Sequence, residues 1–127
     1  MNHTIEINGS NLFYIDIGTG TPLIFLHGNG EDHTIFNASI SFFQNKFRVI
    51  AIDSRGHGQS TLGNKPLSIP LLSSDIVDFI NLFKLNDVIL VGFSDGGNAA
   101  LEVASTIQDK ISKIIVVGSN TKFCGLK

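Results

Sequence analysis

Cysteine is nearly absent from the chain: Cys124 is the only one in 127 residues. A single thiol excludes a disulfide framework and a cysteine metal cluster. Nothing near it in sequence would lower its pKa, so Cys124 reads as a bystander rather than a nucleophile. An excess of either charge is lacking too. The formal net charge is −2, with no basic patch to suggest nucleic acid and no charge run to suggest a tail. No apolar run is long enough to cross a bilayer. The opening residues Met1-Asn2-His3-Thr4-Ile5-Glu6 have neither the basic segment nor the apolar core of a signal peptide, and a cytoplasmic location is the default expectation. Repeats, low-complexity segments and internal linkers are missing as well. The length leaves room for one domain, 1–127, able to bury roughly two-thirds of its unfolded surface.

What is present is an alternation of strands and helices. Thr4–Asn8 and Leu12–Ile17 alternate around Gly9-Ser10-Asn11 and predict an antiparallel hairpin. Leu23–Leu26 and Phe47–Ile52 are short apolar strands, with a helix over Ile35–Phe43 between them. Ile69, Leu72, Ile76, Phe79, Ile80 and Phe83 fall on one face of a helix. A helix from about Asp95 to Gln108 and a last strand, Lys113–Val117, complete the pattern. The fold class is α/β, a mostly parallel sheet with helices on both faces.

Between the last two elements lies the most informative segment. The aliphatic run Val88-Ile89-Leu90-Val91 enters G-x-S-x-G (Gly92 to Gly96), and an Ala-rich helical run leaves it. Strand, sharp turn and helix, with serine at the apex, are what a nucleophile elbow requires. Gly92 and Gly96 stand where chains must approach closely and a Cβ would clash. The helix N-terminus behind Ser94 favours developing negative charge. The Asp95 carboxylate has a plainer reading, as an acidic residue at a helix N-terminus.

Glycine-rich loops follow three strand ends: His27-Gly28-Asn29-Gly30, Asp53-Ser54-Arg55-Gly56-His57-Gly58-Gln59-Ser60, and the turn at Ser94. At the carboxyl ends of parallel strands they can converge on one crevice. With H-G-N-G, D-S-R-G-H-G-Q-S and G-F-S-D-G-G in this order and spacing, the chain resembles the α/β-hydrolase fold family, specifically its small carboxylesterase-like serine hydrolases. The resemblance implies Ser94 as catalytic nucleophile and the backbone N–H groups of Asn29 and Asp95 as oxyanion donors. It implies a small ester-like substrate, and neither cofactor nor metal. It also implies that Asp53, Arg55 and His57 are mainly structural; His27 reads as a loop-fixing histidine, and the alternative is that His57 or His27 serves as a substitute base. His3 and His33 read as surface residues. A metallohydrolase H-x-H-x-D-H motif ending at Asp32-His33 fails, because Gly28 and Gly30 stand where its histidines would be. A dinucleotide fingerprint fails as well: Ser94 holds a glycine position, and Gly56–Thr61 opens no helix.

The family's order is Ser, then acid, then His. No histidine follows Ser94, and the carboxylates beyond it, Asp95, Glu102 and Asp109, all lie in or at the next helix. The chain therefore resembles the N-terminal half of such a hydrolase, truncated after the sixth strand, without cap or C-terminal part. Loss of the histidine base costs about six orders of magnitude in kcat, so the chain alone is expected to be nearly inert. Ile114-Ile115-Val116-Val117 reads as a strand buried on both faces, with nothing after it to pair its far edge. The alternative is accordingly a non-catalytic association module, joining a partner or itself through the 114–117 edge. No nucleic-acid or membrane partner is expected.

Overall fold

The computed structural model describes residues 1–118, so Cys124 lies outside the described residues. Six strands form one sheet: β1 (Asn2–Ile7), β2 (Ser10–Ile17), β3 (Pro22–Leu26), β4 (Arg48–Ile52), β5 (Val88–Phe93) and β6 (Ile111–Val117). Their order across the sheet is β1-β2-β4-β3-β5-β6. The pairs β3/β4, β3/β5 and β5/β6 are parallel, whereas β1/β2 and β2/β4 are antiparallel. Three helices accompany them: α1 (Asn37–Phe43), α2 (Ile69–Leu82) and α3 (Asp95–Thr106). This is the α/β architecture expected from the sequence, with its central strands read correctly.

The hairpin turn is tighter than expected. Ile7 pairs with Ser10, leaving only Asn8 and Gly9, both at positive φ (52° and 82°). Two consecutive left-handed residues make the type I′ turn, whose twist matches that of the flanking strands and whose favoured sequence is Asn-Gly. Ser10 and Asn11 therefore belong to β2. The helix expected over 35–43 also divides, into a 3₁₀ turn at His33–Phe36 and α1 proper. Asp32 caps that turn by accepting from the Thr34 N–H at 2.9 Å.

Two apolar layers sandwich the sheet. On one face α2 and α3 cover Ile24, Leu26, Ile50, Ile52, Val88 and Leu90 with Ile76, Phe79, Ile80, Ala100 and Val103. Ser68 caps α2 by accepting from the Leu71 N–H. The apolar stripe of α2 runs past the core at its start: Ile69 and Leu72 are only half buried and lie beyond the carboxyl ends of the strands. On the other face, Leu23, Phe25, Val49, Ala51 and Val91 pack with Phe36, and Ile40 and Phe43 of α1 lie against them.

The last strand differs from its expected burial. Ile114 is half buried against the α2/α3 layer, but Ile115 and Val117 on the opposite face are 50 % and 44 % exposed. The cause is the position of α1, which packs over β4 and its neighbours rather than over β6. α1 ends at Phe43 and, among the described residues, no helix covers the β6 side of its face. A continuous aliphatic run looks the same whether one face or two are covered, so the sequence pattern did not distinguish them.

Candidate active site

The turn from β5 into α3 is held from both sides. Ser94 sits at φ 55°, ψ −118°, a conformation that costs a non-glycine residue free energy and persists only where its surroundings impose it. The Ser94 N–H donates to Val117 O of β6 at 3.0 Å, and Ser94 O accepts from Gly97 N–H at 2.9 Å in the first turn of α3. Ser94 is exposed. Its Cβ lies beside Gly28: a Cβ built on Gly28 would come within 2.9 Å of it. The loop after β3 and the turn after β5 are therefore in van der Waals contact, in keeping with the pairing of β3 with β5.

A cavity of about 220 Å³ joins all three loops. His27, Gly28, Asn29, Ser54, His57 and Asp95 form its polar side, and Leu67, Ile69 and Leu72 form an apolar wall. The backbone N–H groups of Asn29 and Asp95 donate to no acceptor among the described residues. For Asp95 this follows from its place at the start of a helix, where the first N–H groups lack intrahelical partners. Glu31 shapes the first loop: its Oε1 accepts from Gly28 N–H at 2.8 Å. Glu31 was not singled out from the sequence. Its position three residues after Gly28 was the only available signal.

The histidines divide by their hydrogen bonds. His27 is 2 % exposed. Its Nε2 accepts from the Ser54 N–H at 2.9 Å, so Nδ1 carries the proton and donates to Gly28 O at 2.7 Å. Both nitrogens are engaged, which makes His27 the loop-fixing residue expected. Burial lowers its pKa, and nearby His57 adds to that effect against the opposing Gly28 carbonyl. His57 turns Nδ1 to the Arg55 carbonyl at 3.1 Å, and its Nε2 has no hydrogen-bond partner among the described residues. His33 is not the surface residue expected. Its side chain is 12 % exposed, because Asp53 Oδ1 accepts from both its backbone N–H and its Nδ1 at 2.8 Å, and Phe13 lies against its ring. His3 is exposed and stacks on Tyr14.

Asp53 and Arg55 are wholly buried. Asp53 binds His33 and also accepts from the Gln59 N–H at 3.0 Å. Asp32, His33 and Asp53 bring their ligating atoms within 4.8 Å of one another, but these atoms already serve hydrogen bonds that tie the 32–34 segment to the end of β4. Arg55 forms a two-pronged pair with Asp75 of α2, a residue the sequence reading passed over. Downstream of Ser94, Glu102 is partly buried along α3, and Asp109 lies past its far end.

His27 gives a pH prediction. Its folded-state pKa lies below the unfolded value near 6.5, so the unfolded chain takes up the proton first as pH falls. The stability that neutral His27 contributes is therefore complete above about pH 6.5 and declines below it, by at most about 1.4 kcal/mol per pH unit. Urea midpoints measured between pH 7.5 and 5 should show this slope, and His27→Gln should flatten it. Asp32, whose pKa is lowered by its hydrogen bonds from Thr34, acts only below its unfolded value of 3.8 and leaves that window clear.

The chain is similar to known proteins. The family model described as alpha/beta hydrolase fold matches residues 21–125. The AB hydrolase superfamily protein YisY of Bacillus subtilis is 37 % identical over 122 residues, covering 94 % of this chain and 46 % of its own. A non-heme haloperoxidase of Rhodococcus erythropolis is 32 % identical, covering 88 % and 42 %. The structure of an esterase from Exiguobacterium antarcticum superposes with a TM-score of 0.88 at 31 % identity, covering 94 % of this chain and 46 % of the esterase. The chain thus spans a little under half the length of these relatives.

Proposed function

The chain belongs to the alpha/beta hydrolase fold family, and from that membership we propose that it carries the acyl-accepting part of a serine hydrolase site for small ester-like substrates. Ser94 Oγ attacks the carbonyl carbon, and the π electrons move onto the carbonyl oxygen. The N–H groups of Asn29 and Asp95 receive that oxyanion. Collapse expels the alkoxide, which leaves as the alcohol after taking up, through solvent, the proton that the Ser94 hydroxyl gives up on attack, and an acyl-Ser94 ester remains for water to cleave.

One observation carries this reading. An exposed serine in a strained strand-to-helix turn is followed directly by Asp95, which lines the cavity with Asn29, and the backbone N–H of each has no acceptor among the described residues. Such preorganised donors are the largest single contribution to acyl-transfer catalysis, about 3–4 kcal/mol each. The esterase among the solved relatives supports the substrate class.

No histidine is hydrogen-bonded to Ser94 among the described residues: His57 lines the cavity with its Nε2 unengaged but makes no hydrogen bond with Ser94. His27 has no free nitrogen, and no histidine follows Ser94 in the chain. Turnover by this chain alone is accordingly expected about six orders of magnitude below that of a complete triad. Covalent capture is the sensitive test. Prolonged exposure to a fluorophosphonate should give one slow adduct, mapped to Ser94 by peptide mass and absent from Ser94→Ala. An adduct elsewhere, an adduct that persists in Ser94→Ala, or none at all would reject the assignment.

A further inference from the structure

We propose that the cavity next to the Ser94 turn takes a primary ammonium group on a short aliphatic chain, so that the esters this site favours carry one. As a statement about the substrate, this rests on the acyl-transfer reading above. As a binding site, it stands on the groups that line the cavity.

The unengaged polar groups of the cavity are rich in acceptors. The Asp95 carboxylate lines it and has no hydrogen-bond or ion-pair partner among the described residues. A carboxylate accepts and does not donate. His57 is fixed as a second acceptor. The Arg55 carbonyl can only accept, so Nδ1 of the ring donates to it at 3.1 Å, and Nε2 of the neutral ring is left as a bare lone pair. Ser54 gives its backbone N–H to His27, and its hydroxyl has no partner among the described residues. An ammonium has three N–H groups to donate, and Asp95, His57 and Ser54 offer it three acceptors. No lysine or arginine lines the cavity among the described residues, and Arg55 is buried in its pair with Asp75.

The rival occupant is an anion, because α2 and α3 both begin at the cavity and a helix N-terminus favours negative charge. Both ends are largely engaged already. In α2, Pro70 has no N–H, and Leu71 and Leu72 donate to the hydroxyl and the carbonyl of Ser68. In α3, the Asp95 N–H is the oxyanion donor, and the carboxylate of the same residue repels a second anion. That carboxylate also opposes the charge developing on the carbonyl oxygen. A cation held against it offsets the repulsion, so an amine-bearing ester gains at the oxyanion as well as in binding.

Size and lining set the rest of the ligand. The cavity, at about 220 Å³, is smaller than the roughly 300–1,000 Å³ of sites for drug-sized molecules. It suits a chain of a few carbons. Leu67, Ile69 and Leu72 supply an apolar wall for the methylenes, opposite the polar side formed by Ser54, His57 and Asp95. A protonated amine on a short alkyl chain matches both sides, whereas a polyhydroxylated or anionic group matches neither.

The test is an NMR titration of the full, isotope-labelled chain carrying Ser94→Ala with n-butylammonium chloride, sodium butyrate and n-butanol in turn. Butylammonium should shift the amide signals of Asn29 and Asp95 and the ring nitrogens of His57 saturably, and bind roughly tenfold or more tightly than butyrate or butanol. Adding Asp95→Asn should weaken butylammonium by roughly tenfold or more, the effect typical of losing a hydrogen bond to a charged group. Ser54→Ala, which keeps the backbone N–H that holds His27, should weaken it severalfold and serves where Asp95→Asn disturbs folding. Butyrate binding as tightly as butylammonium, shifts confined to other residues, no saturable shift, or a Kd indifferent to both variants would overturn the proposal. Since Ser94 is replaced throughout, the result does not depend on its reactivity. Failure of fluorophosphonate capture would reject the acyl-Ser94 chemistry and leave the ammonium site standing.

Discussion

Asp75→Ala is expected to remove about 3–5 kcal/mol of folding stability, enough to unfold much of the chain if its total lies in the usual range of about 5–15 kcal/mol. Arg55 and Asp75 are 0 % and 2 % exposed. The guanidinium Nε and Nη2 donate to the two carboxylate oxygens at 2.8 Å each. Arg55 also donates to the carbonyls of Leu62 at 3.2 Å and Asn8 at 3.1 Å, and the Asn8 side chain donates to Asp75 at 3.2 Å. One ion pair thus joins the β1–β2 turn, the loop after β4 and helix α2. Hydrogen bonding to Asp75 raises the pKa of Arg55, and in the variant the intrinsic basicity of the guanidinium still keeps the arginine charged. Without Asp75 it remains a buried, uncompensated charge, which is what makes deleting one partner costly.

The size of the loss should depend on which partner remains. Replacing both residues by apolar ones, as in Arg55→Met with Asp75→Leu, removes the stranded charge and should recover part of the deficit. Full recovery is not expected, because the carbonyls of Leu62 and Asn8 lose their donor. Urea denaturation of the wild type, both single variants and the double variant gives the coupling directly. A strictly additive double variant would show that the pair does not act as a unit.

This pair also marks how far the sequence could be read. The G-x-S-x-G turn was legible because its determinants are local: an aliphatic strand, two flanking glycines and an Ala-rich helix, all within residues 88–106. The convergence of the 27–30, 53–60 and 92–96 loops followed from their places at strand ends. Asp75 was not legible. It lies on a helix whose apolar face dominates the pattern, and its partner is twenty residues upstream, where no periodicity points to it. His33 was misread for the same reason, since the Asp53 carboxylate that encloses it comes from another strand end. The Asn8-Gly9 turn carried a local signal, but Ser10 and Asn11 also resemble turn residues, and only pairing with β1 assigns them to β2. Position along a strand or turn is written locally; cover and charge pairing depend on what folds over them.

Gly96→Ala should act on stability and on Ser94 together. Gly96 is not held by backbone conformation, since its φ is not positive. It is held by space: an added Cβ would overlap Leu26 O and lie 2.6 Å from His27 O, both backbone atoms at the end of β3. Backbone cannot move aside as a flexible side chain can, so the start of α3 must shift away from β3. Overpacking of this kind typically costs about 1–3 kcal/mol. The same shift carries the Asp95 N–H away from the oxyanion position. Loss of one such donor slows acyl transfer by about 10²–10³-fold, and fluorophosphonate capture at Ser94 should slow by a comparable factor while the chain stays folded. Gly9→Ala is the control, because Gly9 sits at φ 82° with nothing within 4 Å of its added Cβ. It should cost about 1–2 kcal/mol through conformation alone and leave capture unchanged. If Gly96→Ala labels as fast as the wild type, contact between α3 and β3 does not set the Asp95 donor, and the oxyanion geometry must be held by the 27–30 loop alone.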